Sequence, residues 1–128
     1  DVVLLSMGED GHIASLFPNH VYPEDQMIVV EHDSPKPPKE RVSMSYKQLN
    51  RAHYIFKLII GESKQKAVTL LQQNANLPIT RVNGDCEKLY FSKSAILWDL
   101  QIILIFKKLI AWDEYNSGEL FFLVTISL

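Results

Sequence analysis

The sequence predicts an α/β fold built on a largely parallel sheet. Two observations carry that prediction. Apolar, strand-like runs alternate with helix-like stretches, the pattern of strands joined by crossover helices. Two glycines, Gly8 and Gly61, each follow a strand-like run and precede a helix-like stretch. In parallel sheets that position is the carboxyl edge, where ligands bind.

The elements follow in chain order. Val2 to Leu5 is an apolar run, read as a strand buried on both faces. Such a strand needs neighbours, so further chain is expected to precede Asp1 in the parent gene. Met27 to Val30 and Tyr54 to Ile60 are read as buried strands too, and Arg41 to Ser45 as a shorter, alternating one. Tyr46 to Ala52 is helix-like, with Ser45 available as an N-cap. Ser63 to Gln73 is a clearer helix: Ala67, Val68 and Leu71 share one face, and Lys64, Gln65 and Gln72 are left to water. Residues 33 to 41, "DSPKPPKER", are a loop, because Pro35, Pro37 and Pro38 exclude regular helix. Composition alone makes it a stiff surface connector.

The last segment, 97 to 128, is rich in apolar residues but follows no single period. "LQIILIFKKLIAW" carries a helical stripe interrupted by Lys107 and Lys108, and "ELFFLVTISL" has strand composition. The expected organisation is one domain over residues 1–96 and an apolar tail over 97–128.

Composition excludes several function classes. The net charge of −2 over 128 residues gives no reason to expect nucleic acid or a membrane surface as partner. No apolar run reaches the ~18 residues of a membrane span. One cysteine, Cys86, permits no intrachain disulfide, which fits a reducing compartment. The start lacks a basic region and a cleavage pattern, so the expected location is cytoplasmic.

The chemistry concentrates in "GEDGHIASLFP", residues 8 to 18. Asp10 and His12 lie two positions apart across Gly11, so their side chains can meet in a turn. A carboxylate can orient an imidazole and stabilise its protonated form, which makes a general base toward water. The same residues also suit an acidic turn with a capping Asp. His20, His32 and His53 lack such company and are read as structural or exposed. No second histidine or cysteine stands at ligand spacing, so no metal site is expected. A second candidate is "GESK", 61 to 64. A glycine turn opening a helix presents free N–H groups to a phosphate, and Lys64 would add a charge. Lys36 and Arg41 would add more if the proline loop folds over the site.

These blocks resemble a known family. "DVVLLSMGEDGHIASLFP" is similar to the signature of 6-phosphogluconolactonases, and "SPKPPKERVSMS" with "LNRA" to that family's second signature. "GESKQKAVTLL" and "LPITRV" match the next two blocks in order and spacing, over residues 1 to ~95. The resemblance implies a Rossmann-like α/β fold shared with glucosamine-6-phosphate deaminases and ribose-5-phosphate isomerases. It implies hydrolysis of 6-phosphogluconolactone to 6-phosphogluconate in the pentose phosphate pathway, with no cofactor and no required metal. The partner is then a small phosphorylated sugar lactone. His12 is implied as general base and Asp10 as its orienting group. Lys64 and Arg41, with Lys36, are implied to hold the 6-phosphate, and N–H groups near Gly8 and Gly11 to receive the oxyanion.

The sequence departs from the family at Ile13, where threonine is usual, and at Ser6, where glycine is usual. "KLYFSKSA" lacks the expected Trp and Asp. The family's amino-terminal half, with a glycine-rich loop and an Asp-Glu-Arg motif, is absent, and the tail from 97 has no counterpart. The readings that follow are a carboxyl-terminal part of a lactonase, an amino-sugar-phosphate deaminase of the same fold, or a catalytically inactive remnant or binding module. Deaminases usually carry a Glu-Pro pair after the "DGH" turn; Phe17-Pro18 stands here, which favours the lactonase.

Overall fold

A computed structural model describes residues 1–96, 110–113 and 121–124 of the chain. Its centre is a five-stranded sheet of order β1-β4-β5-β7-β6. β1 (Val2–Ser6), β4 (Tyr54–Ile59) and β5 (Cys86–Ser92) are mutually parallel. β6 (Ile110–Asp113) and β7 (Phe121–Val124) form an antiparallel pair, and β7 lies antiparallel against β5. β2 (Ile28–Glu31) and β3 (Arg41–Met44) form a separate antiparallel ribbon. The α/β class and the parallel arrangement of the sheet are as the sequence predicts. The strand composition of "ELFFLVTISL" corresponds to β7. Of the stripe read in "LQIILIFKKLIAW", residues 100–109 lie outside the described residues, and Ile110 to Trp112 are strand.

Burial corrects the expectation that three strands are covered on both faces. β4 comes closest: Ile55, Lys57 and Ile59 are buried, and Phe56 and Leu58 are partly covered. β1 is an edge strand. Its Leu5 is buried, but Val2 and Leu4 are 64% and 66% exposed, because no described element packs over them. β2 is not in the parallel sheet at all. It buries Val29 and Glu31 and exposes Ile28 and Val30, the alternation of a one-sided ribbon.

Helix α1 (Tyr46–Leu49) starts where expected, with the Ser45 hydroxyl accepting from the Gln48 N–H at 3.1 Å. It ends before Ala52. The second helix begins as a 3₁₀ turn, Glu62–Lys64, and continues as α2 (Gln65–Gln72). Ala67 and Val68 are buried on it, with Leu71 packed alongside. Gln65 does not simply face water: its Nε2 donates to the Ser94 carbonyl at 3.0 Å, tying the helix to the segment after β5.

β5 carries no strand signal in the sequence, because Glu87 and Lys88 interrupt it. Glu87 is there to serve Lys57. The Lys57 ammonium is 3% exposed and donates to Glu87 Oε1 at 2.6 Å. Burial lowers the lysine pKa, and Glu87 opposes that shift. A buried cation of this kind requires such a partner.

Candidate active site

Residues Ser6 and Leu58 are partners in the β1–β4 register. The Gly8 turn and the Gly61 turn therefore leave adjacent parallel strands at the same carboxyl edge. That places the "GEDGH" turn and the "GESK" helix start side by side, the location a parallel sheet offers to ligands.

The turn itself is closed by its own backbone. Gly8 N–H donates to the His12 carbonyl at 2.8 Å, and Gly11 N–H to the Gly8 carbonyl at 3.1 Å. Gly11 has φ +90°, a conformation side chains avoid. Asp10 Oδ1 accepts from the His12 N–H at 3.2 Å and contacts His12 Nδ1 at 2.5 Å. Partial burial works against the Asp10 charge, but the side-chain and backbone hydrogen bonds from His12 outweigh it and hold the carboxyl below its usual range. An ionised carboxylate only accepts, so Nδ1 carries the proton and Nε2 is left with its lone pair. The His12 side chain is 17% exposed, so this nitrogen is sheltered and still reachable.

Gly8 has a second duty. A Cβ added there would overlap Cε1 and Nδ1 of the His12 ring and crowd Asp10 Oδ1. Gly8→Ala is therefore expected to break the His12–Asp10 contact while leaving the sheet in place. Histidine ring signals by NMR, set against an unchanged far-UV circular dichroism spectrum, check it. An unmoved His12 signal in the alanine variant contradicts it.

The proline loop does reach the turn. Lys36 Nζ lies 3.6 Å from Glu9 Oε2. Arg41 is engaged with the loop itself: Nη2 donates to the carbonyls of Lys36 and Pro37 at 2.8 and 3.0 Å, and Nε to that of Pro38 at 3.1 Å. Arg41 is thus a clasp that shapes the loop carrying Lys36. Lys64 ends the 3₁₀ turn and is half-buried, with no hydrogen bond or ion pair from its ammonium among the described residues. An open groove of about 410 Å³ lies between β1 and β3, lined by Leu4, Val42, Met44 and Leu49 among others. It contains neither His12 nor Lys64.

Sequence reasoning passed over a group behind His12. Phe17 is 1% exposed, and its ring centroid lies 4.7 Å from that of His12. Glu31, 5% exposed, accepts from the Tyr22 hydroxyl at 2.5 Å, from His20 Nδ1 at 2.7 Å and from Asp33 N–H at 2.7 Å. Burial alone would raise the Glu31 pKa, but these donors bring it down to about 2 from an ordinary 4.5. A depressed carboxyl contributes stability that is complete above about 4.5 and is lost as the pH falls through about 2. The melting temperature of the wild type is expected to drop across that window, and that of Glu31→Gln to drop less. Parallel pH profiles for the two proteins contradict this.

The profile of the family described as glucosamine-6-phosphate isomerases/6-phosphogluconolactonase matches residues 1–91. A probable 6-phosphogluconolactonase 1 of Arabidopsis thaliana is 36% identical over 100 residues, covering 77% of this chain and 37% of the relative. A probable 6-phosphogluconolactonase 2 of Oryza sativa subsp. indica is 46% identical over 81 residues, covering 61% of this chain and 29% of the relative. Three other plant relatives are named as chloroplastic. The crystal structure of a 6-phosphogluconolactonase from Thermotoga maritima superimposes with a TM-score of 0.63 at 31% identity, covering 71% of this chain and 42% of that one. The chain spans about two fifths or less of the length of these relatives. The chain belongs to the glucosamine-6-phosphate isomerase/6-phosphogluconolactonase family.

Proposed function

We propose that the chain is the base-bearing part of a 6-phosphogluconolactonase, which hydrolyses 6-phospho-D-glucono-1,5-lactone to 6-phosphogluconate. The observation that carries this reading is the 2.5 Å contact of His12 Nδ1 with Asp10 Oδ1 in a glycine turn at the carboxyl edge of the sheet. With Nδ1 committed to Asp10, Nε2 takes a proton from water as the oxygen attacks the lactone carbonyl. The Gly8 and Gly11 N–H groups, expected to receive the oxyanion, are spent on the His12 and Gly8 carbonyls, so the tetrahedral oxyanion falls to the other N–H groups of the turn, those of Glu9 and Asp10. The intermediate then collapses, the ring C–O bond breaks, and the imidazolium returns its proton to the departing ring oxygen. Asp10 stabilises the imidazolium in between. Lys64, at the helix start, receives the 6-phosphate, together with Lys36 on the loop that Arg41 clasps.

The deaminase reading is the weaker one. Position 17 offers a buried phenyl ring against His12 rather than a carboxylate. We further infer a cytoplasmic setting, for which the unpaired Cys86 gives support. Residues 1–96 are taken as the family domain and 97–128 as an appended tail.

The test is an activity measurement on two proteins. The 128-residue chain alone is expected to give no saturable turnover above spontaneous lactone hydrolysis, since among the described residues β1 pairs with β4 alone. A fusion that supplies the amino-terminal portion of the Thermotoga maritima enzyme is expected to give saturable turnover. A folded fusion that releases ammonia from glucosamine 6-phosphate and leaves the lactone alone would establish the deaminase instead.

A further inference from the structure

A single hydrogen bond does not fix an imidazole. With Asp10 at Nδ1, the His12 ring can still rock about its Cα–Cβ and Cβ–Cγ bonds within the tolerance of that contact, and Nε2 swings with it. Something flat must press on the ring to stop that motion. The Phe17 ring does so, tilted 39° to His12 at a centroid distance of 4.7 Å. It is itself 1% exposed, lies 5.8 Å from the His20 ring, and has the Arg41 guanidinium 5.6 Å from its centroid.

Phe17 is fastened through its backbone. Its N–H is buried and donates to the Tyr22 hydroxyl oxygen at 2.9 Å. That hydroxyl has one proton and two acceptors in reach: the Ser15 carbonyl at 3.2 Å and Glu31 Oε2 at 2.5 Å. The shorter contact, to a charged acceptor, takes the proton. Glu31 is fixed in turn by His20 Nδ1 and by the Asp33 N–H. A chain of contacts thus runs from the β2–β3 ribbon to the imidazole.

We propose that Glu31, a buried carboxylate on β2, is a positioning residue for the His12 imidazole, acting through the Tyr22 hydroxyl and the Phe17 ring. Asp10 then sets which nitrogen is bare, and Glu31 sets where that nitrogen points. The positioning matters for catalysis only if His12 is the base, and to that extent it rests on the lactonase reading.

The test separates the two. In the isotopically labelled 128-residue chain, the His12 ring ¹H–¹³C signal is followed in Tyr22→Phe and in Phe17→Leu. Phe17→Leu removes the ring outright and gives the reference displacement. Tyr22→Phe keeps the ring packing and deletes only the hydroxyl. It is expected to move the His12 signal toward the Phe17→Leu position. The signal of His53, which pairs with Asp85 at the opposite edge of the sheet, is expected to stay. If the Phe17 amide moves in Tyr22→Phe while His12 keeps its wild-type signal, the network only fastens the loop and the proposal is overturned. Should Tyr22→Phe not fold, Glu31→Gln retains an acceptor and is expected to give a smaller shift in the same direction; no shift overturns the proposal equally. In the active fusion, Tyr22→Phe is expected to lower kcat by up to about 10²-fold with KM unchanged, the cost of misplacing a reacting group by ~1 Å. A displaced His12 signal beside a normal kcat for His12→Ala supports the positioning and removes the base.

Discussion

His12→Ala, in the fusion with an amino-terminal portion of a solved relative, is expected to lower kcat by about 10²–10⁴-fold, the range general base catalysis supplies. KM should change little, because the imidazole acts on water and on the departing oxygen rather than on the bound ground state. The residue removed is specific in its surroundings. His12 is sheltered, paired with Asp10 at 2.5 Å, and packed against a buried ring at 4.7 Å. The loss should be equal on 6-phosphogluconolactone and on the lactone lacking its phosphate. Stopped assays at several substrate concentrations measure it, against the spontaneous rate. Near-normal kcat in a folded variant would leave the "GEDGH" turn as an acidic turn with a capping Asp and nothing more.

Lys64→Ala should fail differently. A charge-assisted contact to phosphate contributes roughly 1.5–3 kcal/mol, which corresponds to about 10-fold to 10²-fold in affinity. The enzyme holds the phosphate in ground and transition states alike, so the loss belongs in KM. It should appear only with the phosphorylated lactone. Equal losses on both substrates would remove Lys64 from the phosphate site. Together the two variants divide the reaction between adjacent strand ends, with chemistry after β1 and binding after β4.

Parts of this are legible in the sequence alone. The turn at Gly8 to His12 shows itself because its residue types are ill-suited to anything but a turn, and because both of its partners are local. The α1 cap at Ser45 is equally local. What could not be read depends on residues distant in sequence. β5 is hidden because Glu87 reads as a surface charge until Lys57, thirty positions earlier, is seen buried against it. β2 looks like a core strand of the parallel sheet because Ile28, Val29 and Val30 are all apolar. Its partner turns out to be β3, and alternate residues face outward. Arg41, which the family resemblance implies as a phosphate ligand, also spends Nε and Nη2 on the carbonyls of the loop, contacts that its charge does not announce. The Glu31–Tyr22–Phe17 support spans fourteen positions and joins an acid, a phenol and a main-chain amide, with no spacing rule to announce it.

The most direct test of the account is the tautomer of the neutral His12 ring, read from ¹⁵N shifts of its ring nitrogens in the labelled chain. The account predicts a proton on Nδ1, held by Asp10, and a bare Nε2. That is the less common tautomer of a free neutral imidazole, so its presence would report the Asp10 contact. It should revert in Asp10→Asn, whose amide no longer enforces it. A wild-type His12 protonated on Nε2 and bare on Nδ1 would contradict the assignment of this histidine as the base that activates water.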